Sequence, residues 1–379
     1  MEAINIGRSM VQPIIISQTK HIATPALVID AAAVRRNMHR LAEYAANVGL
    51  NVRPHTKTHK MRSLARMQLE AGAIGLTAAK VSEAEIITDP HQDLLLAYPP
   101  VGAARARRLA ALARDRTVRA AVDSLTAVRE VSEAALSQKT ILGLLVELDV
   151  GLGRTGVQSP AATLPLAQAI DGAPNVRLDG IMIYPGHIWE RVEQQTGPLH
   201  AVDDLLAETI ALWARHGLEA QIVSGGSTPT AYQSHLVRRM TEIRPGTYVF
   251  NDMNTVRGGF CTVGDCAAHI HATVISDAVA GQVVIDAGSK TLSSDRCPPA
   301  PESGFGQIVE YDGARITRLS EEHGQVDVTA CSSRPSVGER VTVIPNHICP
   351  CVNLQESVWW VEPNEPPCEV AVDARGKVQ

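Results

Sequence analysis

The first two-thirds of the chain alternates short β-rich runs with amphipathic stretches, and this alternation limits the possible folds more than any other feature. From Leu50 onward, eight runs have the length and composition of strands, and most of the gaps between them carry apolar residues at helical spacing. The eight runs are 50–53, 73–78, 93–98, 118–122, 141–149, 176–184, 220–224 and 240–250. Eight βα units in about 200 residues predict an α/β protein built on a (β/α)8 barrel.

A doubly wound sheet is the alternative, but no G-x-G-x-x-G motif follows the first strand candidate at 26–30, which disfavours it. Near residue 256 the helical periodicity fades. The β-rich segments that follow, punctuated by Gly and Pro, are 268–276, 281–286, 306–310, 325–331 and 340–345. We therefore expect three parts, which are an N-terminal segment 1–25 packed on the β domain, a barrel 26–255, and a C-terminal β domain 256–379.

Composition excludes several classes of protein. The net charge is −5 and the chain has no long run of one charge, so a nucleic-acid partner is not expected. No apolar stretch approaches the roughly 18 residues that span a membrane. All seven cysteines lie at or after Cys261, an uneven supply that argues against a disulfide framework. We expect reduced thiols in a cytoplasmic protein.

Catalytic residues of a barrel lie at the carboxyl ends of its strands, so the residues that follow each strand are the candidates. The first barrel strand is followed by RPHTKTHK at 53–60. A lysine at a barrel mouth can be partly desolvated, which favours its neutral form and a role as a Schiff-base nucleophile. Lys57 is nearer the strand end than Lys60 and is the better candidate. The alternative is a solvated, basic loop.

The fifth and sixth strands end in two further candidate motifs. GLGRTG at 151–156 combines glycines, which permit close approach of the backbone, with Arg154, which can pair with a carboxylate or a ring substituent. An ion pair between Arg154 and Asp149 is the alternative. The sixth strand ends in Tyr184-Pro-Gly-His187, where His187 is either a general base or a structural residue.

The seventh strand is followed by SGGSTPT at 224–230. A turn of Gly, Ser and Thr that enters a helix presents N–H groups and hydroxyls to an anion. Phosphate sites of barrels commonly form after strands seven and eight. The sequence therefore predicts a phosphate site here, with RPGTY at 244–248 of the eighth strand beside it.

The last domain contains PNHICPC at 345–351. On an extended segment, His347 and Cys349 would point to the same side, because side chains repeat every two residues. An imidazole and a thiolate are a plausible half-site for Zn²⁺ or a similar ion. A buried strand with an inert thiol is the alternative, and whether Cys351 joins the site stays open because Pro350 redirects the chain.

Taken in order, these motifs resemble the D-threonine aldolase / D-serine dehydratase family of alanine-racemase-like, fold-type III pyridoxal-phosphate enzymes. DAGSK at 286–290 and LSEEHG at 319–324 belong to the same pattern, and the resemblance spans Thr24 to about Leu354. It implies a homodimer with pyridoxal 5'-phosphate in the barrel and a divalent metal, zinc or manganese, in the β domain. Lys57 would carry the cofactor covalently, and His347 and Cys349 would bind the metal. The other cofactor-binding residues implied are His55, Arg154, Tyr184, Ser224, Gly225, Gly226, Ser227, Thr228, Gly246, Thr247 and Tyr248.

The resemblance implies a lyase acting on D-β-hydroxy-α-amino acids, and D-threonine aldolase is the activity we expect, with His187 as a candidate base on the β-hydroxyl. The alternative is a D-serine or D-threo-3-hydroxyaspartate dehydratase, since some aldolases of the family carry a carboxylate where this chain has Cys349 and the dehydratases tend to have cysteine. Racemisation of a D-amino acid is a further possibility. A non-catalytic pyridoxal-phosphate carrier is the rival from another class, and a zinc-dependent barrel hydrolase ranks last.

Overall fold

The computed structural model describes residues 18–379, which fold into two compact units. The barrel unit comprises His39–Gly246 and Gly376–Gln379, and the β unit comprises Thr247–Arg375 with the described residues up to Met38. A barrel with a C-terminal β domain is therefore confirmed as the fold class. The limits of the units differ from the division at 26–255 and 256–379, because the first strand pairs with strands of the β unit. Residues 1–17 of the predicted N-terminal segment lie outside the described part of the chain.

The eight predicted barrel strands all form, and they are all parallel. In chain order after β1 (Ala26–Asp30), which lies in the β unit, they are β2 (Asn51–Val52), β3 (Leu76–Ala78), β4 (Asp93–Leu96), β5 (Thr117–Val122), β6 (Leu142–Glu147), β7 (Val176–Met182), β8 (Ile222–Gly225) and β9 (Glu242–Ile243). They are hydrogen-bonded in the order β2-β9-β8-β7-β6-β5-β4-β3. The Ile74 N–H donates to the Val52 carbonyl (2.9 Å) and the Thr77 N–H donates to the Pro54 carbonyl (2.9 Å), so β3 meets β2 and the barrel closes.

α-Helices fill most of the gaps between the strands, as the helical spacing of apolar residues predicts. They are α1 (Ala31–Asn47), α2 (Arg62–Glu70), α3 (Val81–Ile87), α4 (Ala103–Leu112), α5 (Leu125–Gln138), α6 (Pro160–Gly172) and α7 (Thr196–Arg215). Local sequence explains where several begin. Ser124 and Ser159 accept N–H groups of the first turns of α5 and α6, and Pro160 suits the first position of α6.

The barrel interior contains an ion-pair network where aliphatic residues are usual. Its members, the interior network, are Arg53, Asp93, Arg119, Asp179 and Glu242. Arg119 bridges Asp93 (2.5 Å) and Asp179 (2.6 Å), which lie on different strands. A Cβ at Gly143 would lie 2.0 Å from the Asp179 carboxylate, so glycine makes room for the network.

The β unit is built on a ring of six antiparallel strands. Its strands after β1 are β10 (Ala268–Ser276), β11 (Gln282–Ile285), β12 (Gln307–Ile308), β13 (Arg315–Leu319), β14 (Gly324–Asp327), β15 (Arg340–Ile344), β16 (Ser357–Val361) and β17 (Cys368–Ala371), and its helices are α8 (Met253–Arg257), α9 (Ser289–Leu292) and α10 (Ile348–Leu354). The ring runs β11-β14-β13-β12-β15-β10 and closes where β10 pairs with β11. β1 pairs antiparallel with β10 and parallel with β16.

Some sequence-based expectations were wrong in detail. The strand expected over 240–250 ends at Ile243, because Pro245 has no N–H to donate and Thr247–Val249 forms a 3-10 helix. Strands β13, β16 and β17 were not predicted. All seven cysteines are free thiols. Among residues 18–379, no helix combines the length and apolar character needed to cross a membrane.

Candidate active site

Lys57 lies in a short 3-10 helix, Thr56–Thr58, just past the carboxyl end of β2. The turn is tightly anchored: the Thr56 hydroxyl donates to the Thr77 carbonyl (3.0 Å) and to the Glu83 carboxylate (2.6 Å). The His55 Nδ1 accepts the N–H of Lys57 (3.4 Å). Lys57 is half-buried, whereas the residues on either side of it in this turn are buried.

Tyr184 brings two of the predicted site residues together. The Lys57 Nζ lies 5.8 Å from the centroid of the Tyr184 ring, and the Arg154 Cζ lies 4.8 Å from it. Cations are attracted to the negative face of an aromatic ring at such distances. Residues that follow three different barrel strands therefore meet at one place, as the sequence predicts for the carboxyl ends of the strands.

The loop that carries Arg154 is shaped by Asp149. This carboxylate accepts N–H groups of Gly151 (3.1 Å), Leu152 (3.0 Å) and Gly153 (2.9 Å). Asp149 therefore has a structural role in the loop, in place of the ion pair with Arg154 that was the alternative. Gly151 has φ +124, and a Cβ there would lie 2.8 Å from the His187 Nε2, so His187 packs directly on this loop with its side chain exposed.

Several charged groups converge near His55, which is buried. Burial and the nearby positive charges, Lys57 and Arg244 foremost, hold the pKa of His55 well below its usual range. Arg244 is itself buried. Its Nη2 donates to the Ile183 carbonyl (2.6 Å), and its Nε has no hydrogen-bond partner among residues 18–379. Burial raises the pKa of the Glu147 carboxyl, whose Oε2 is equally without a partner in that range. The cations near His55, which are Lys57, Arg154 and Arg244, suit an anionic group.

The glycine-serine-threonine turn follows β8 and leads into a 3-10 helix, Ala231–Leu236, where a helix entrance was expected. Gly226 has φ +79, which favours glycine, and the Ser227 and Thr230 hydroxyls are 3.0 Å apart. Gly225, Gly226, Ser227 and Thr228 all belong to the end of β8 and this turn. Ser224 differs from them, because its hydroxyl donates to the Glu242 carboxylate (2.7 Å) and so serves the interior network.

Gly246 and the two residues after it are divided between the units. A Cβ at Gly246 would lie 2.9 Å from the Thr58 Oγ1 and 3.1 Å from the His55 carbonyl oxygen, so glycine lets this strand end pack on the Lys57 turn. Thr247 and Tyr248 belong to the β unit. There the Thr247 Oγ1 lies 3.6 Å from the Cys349 Sγ.

The predicted metal ligands, His347 and Cys349, are neighbours, but not because they lie on one side of an extended segment. The segment is not extended: α10 begins at Ile348, so Cys349 lies in its first turn and His347 at its N-cap. Although burial opposes a charged ring, Cys349 together with Asp252 and Asp295 raises the pKa of His347 to about 10. The His347 Nδ1 is 2.7 Å from the Asp295 carboxylate. Cys351 is buried, and its thiol lies within hydrogen-bond distance of the main-chain carbonyls of Leu292 (3.1 Å) and His347 (3.3 Å).

The pair fits a metal ion in one respect. A histidine that ligates a metal usually donates its other ring nitrogen to a carboxylate, as His347 can to Asp295. The imidazole and thiolate are both suitable ligands for zinc. Within residues 18–379, however, no group of three or more His, Cys, Asp or Glu side chains is arranged to hold an ion. An ion held by His347 and Cys349 would have further coordination positions that these two ligands leave unfilled.

Sequence reasoning missed three charged residues of these sites, which are Glu83, Glu147 and Asp295. Glu147 was detectable, because an acidic residue ends the otherwise apolar strand LGLLVE. Asp295 lies in an irregular segment, and no periodicity or motif points to it.

Comparison with known proteins agrees with this geometry. Residues 29–254 match the family model described as "Alanine racemase, N-terminal domain", and residues 267–361 match the one described as "Putative serine dehydratase domain". The chain belongs to the D-threonine aldolase / D-serine dehydratase family. It is a pyridoxal-phosphate-dependent lyase of the alanine-racemase-like fold.

Members of this family with different activities have the same sequence identity to this chain. A D-threonine aldolase from Arthrobacter sp is 30% identical over 89% of this chain and 88% of its own length. A D-threo-3-hydroxyaspartate dehydratase from Delftia sp. (strain HT23) is 30% identical over 86% of this chain and 90% of its length. The crystal structure of a D-threonine aldolase from Filomicrobium marinum, 30% identical, superposes with a TM-score of 0.86 and covers 94% of this chain and 97% of its own.

Proposed function

We propose that the protein is a pyridoxal-phosphate- and divalent-metal-dependent lyase that cleaves D-β-hydroxy-α-amino acids to glycine and an aldehyde, as a D-threonine aldolase does. The observation that carries this proposal is the position of Lys57, in an anchored turn at the barrel mouth and 5.8 Å from the Tyr184 ring. A lysine in that position can bind an aldehyde covalently.

The residues around Lys57 fit the rest of the cofactor. Its phosphate is an anion, and the mouth supplies Arg244 with a buried Nε that lacks a partner in the described chain. Gly225, Gly226, Ser227 and Thr228 provide main-chain N–H groups and hydroxyls at the end of β8. Gly246 keeps the strand end close to the Lys57 turn. Arg154 binds near the ring of the cofactor, since it lies over Tyr184 beside Lys57.

When bound, pyridoxal phosphate accepts electrons from the substrate's Cα and so weakens the bonds to that carbon. The chain's own residues then direct which bond breaks. His187 takes the proton of the β-hydroxyl, which favours cleavage between Cα and Cβ. His55 remains neutral, because burial and neighbouring cations lower its pKa, and it holds the main chain of Lys57 through its Nδ1.

His347 and Cys349 would hold the metal ion, and Asp295 would orient the His347 ring. A divalent ion there would supply Lewis-acid chemistry towards an oxygen of the substrate. The thiolate of Cys349 favours zinc over manganese, which prefers oxygen ligands. We also infer a homodimer from the family resemblance, and light scattering of the purified protein measures it.

A dehydratase is the second candidate function. Cys349 occupies a position at which some aldolases of the family have a carboxylate, and an aldolase and a dehydratase are both 30% identical to the chain. In that reaction Lys57 takes the Cα proton and the hydroxyl group leaves from Cβ as water. Hydrolysis of the resulting enamine by one water molecule then gives a 2-oxo acid and ammonia.

Product analysis separates the two reactions. The protein is loaded with pyridoxal phosphate and zinc or manganese, then incubated with D-threonine and with D-serine. We expect glycine and acetaldehyde from D-threonine, and no turnover after chelation or in His347→Ala. Formation of 2-oxobutyrate or pyruvate with ammonia would instead assign the dehydratase. A protein that binds the cofactor but releases neither set of products, with or without metal, would be the non-catalytic carrier.

A further inference from the structure

The last residues of the chain contact the part of the barrel that supports Lys57. Residues 376–379, here called the C-terminal tail, belong to the barrel unit although they follow the β unit in sequence. The Gln379 carbonyl accepts the N–H (3.0 Å) and the hydroxyl (2.8 Å) of Ser82, at the start of α3. The Lys377 carbonyl accepts a hydrogen bond from the Lys60 Nζ (3.1 Å). Both contacts use the main chain of the tail.

Lys60 connects the tail to a buried carboxylate. It is only 6% exposed and has φ 53, a left-handed conformation that is strained for a lysine and persists only where its surroundings hold it. Its Nζ lies 4.0 Å from the Oε2 of Glu83, which is fully buried. The two opposite charges compensate each other, since a buried charge without a partner is costly.

Glu83 in turn contacts the turn that carries Lys57. Its Oε1 accepts the Thr56 hydroxyl (2.6 Å), and Thr56 is the residue immediately before Lys57. The Thr56 carbonyl accepts the N–H of Lys60 (2.8 Å), which closes the turn on itself. A continuous series of contacts therefore runs from the C-terminal tail through Lys60 and Glu83 to Thr56.

We infer that Glu83 and the C-terminal tail are positioning elements for the cofactor-binding lysine: they fix the turn 56–60 so that the amine of Lys57 faces the cofactor. The inference deepens the proposed function and rests on the role assigned there to Lys57. Glu83 and the tail touch neither substrate nor cofactor in this account. They act through Thr56 and Lys60.

Cofactor binding to the apoprotein tests the inference without measuring turnover. A chain shortened to end at Arg375 loses every tail contact, whereas the double variant Lys377→Ala/Gln379→Ala keeps the main-chain contacts and is the matched control. We expect the shortened chain to bind pyridoxal phosphate about tenfold more weakly. The control should bind like the wild type. Titration by absorbance gives the Kd, and thermal unfolding reports whether each variant is folded.

Glu83→Gln separates positioning from folding. The amide oxygen still accepts from Thr56, but the negative charge that faces Lys60 and lies near Lys57 is gone. We expect weaker cofactor binding. We also expect the absorbance band of the bound cofactor to change at a lower pH than in the wild type, because loss of the negative charge disfavours the protonated form of the Lys57 nitrogen that carries the cofactor. A merely structural role would not move that pH.

The outcomes distinguish the two levels of the account. If Glu83→Gln and the shortened chain keep the Kd and the pH dependence of the wild type, the inference is wrong, whatever the enzyme does. If the shortened chain does not fold, Glu83→Gln alone decides. If the wild type itself does not bind pyridoxal phosphate, the proposed function fails first and the inference fails with it.

Discussion

Two groups of charged side chains in the same barrel differ in how well they are paired. In the interior network each carboxylate faces a guanidinium at 2.5–2.9 Å, as Arg53 does with Asp93 and Glu242. At the mouth, the Arg244 Nε and the Glu147 Oε2 are buried and have no hydrogen-bond partner in the described chain. The network is complete without a ligand, whereas the mouth leaves polar atoms unsatisfied.

The difference assigns separate tasks to the two groups. Buried polar groups without partners are costly, so proteins retain them where a ligand will satisfy them. Complete pairing serves the stability of the barrel, because removal of one partner leaves an uncompensated charge. Variants of the network should therefore change unfolding, and variants of the mouth should change binding.

The largest effect is expected from Asp179→Ala. This change leaves Arg119 and Arg177 without the carboxylate they share, and it should lower the free energy of unfolding by about 3–5 kcal/mol. Urea unfolding measures the loss. Glu322→Ala, which breaks an exposed pair with Lys290, is the control and should cost no more than about 1 kcal/mol. If Asp179→Ala kept the stability of the wild type and weakened cofactor binding, the interior network would serve binding and not stability, contrary to this account.

A smaller effect, of the opposite kind, is expected from Arg154→Gln. The exposed guanidinium over Tyr184 contributes little to folding, so stability should stay within about 0.5 kcal/mol of the wild type. Cofactor affinity should fall about tenfold, which corresponds to roughly 1.4 kcal/mol. Titration of the apoprotein provides the Kd, and Arg129→Gln on the exposed face of α5 is the control. Equal affinities of the two variants would exclude Arg154 from the site.

The smallest effect concerns the pH dependence of the mouth. His55 binds a proton in the unfolded chain near its usual pKa, but in the folded chain only at lower pH, because burial and nearby cations oppose its charge. The free energy of unfolding should therefore fall as pH drops below about 6.5. His55→Gln should weaken this dependence. Addition of inorganic phosphate should raise the pKa of His55, measured by NMR, because the anion offsets the cations. An unchanged pKa would argue against an anion site here.

Regular periodicity and strand-end reasoning were enough to predict the barrel. The eight strands appear where β-rich runs alternate with helical spacing, and the carboxyl ends of three of them bring Lys57, Arg154 and Tyr184 together. This part of the structure depends on local patterns and on the general topology of parallel barrels, both of which the chain displays directly.

Features that depend on long-range contacts could not be predicted. The tail at 376–379 reaches Ser82 and Lys60 across some three hundred positions of sequence, and no pattern links them. His347 and Cys349 illustrate a different failure. They were chosen for a spacing that holds only on a strand, and they are neighbours because α10 begins between them. Ser224 looks like part of a phosphate turn, but its hydroxyl is bonded to Glu242.

The most direct test of the central claim is to find which lysine carries the cofactor. The holoprotein is treated with borohydride, which makes a carbon–nitrogen link between lysine and cofactor permanent, and the modified peptide is identified by mass spectrometry. We predict the pyridoxyl group on Lys57, with no stable label in Lys57→Ala. A label on Lys60, three residues away, or on any lysine outside the barrel mouth would contradict the account.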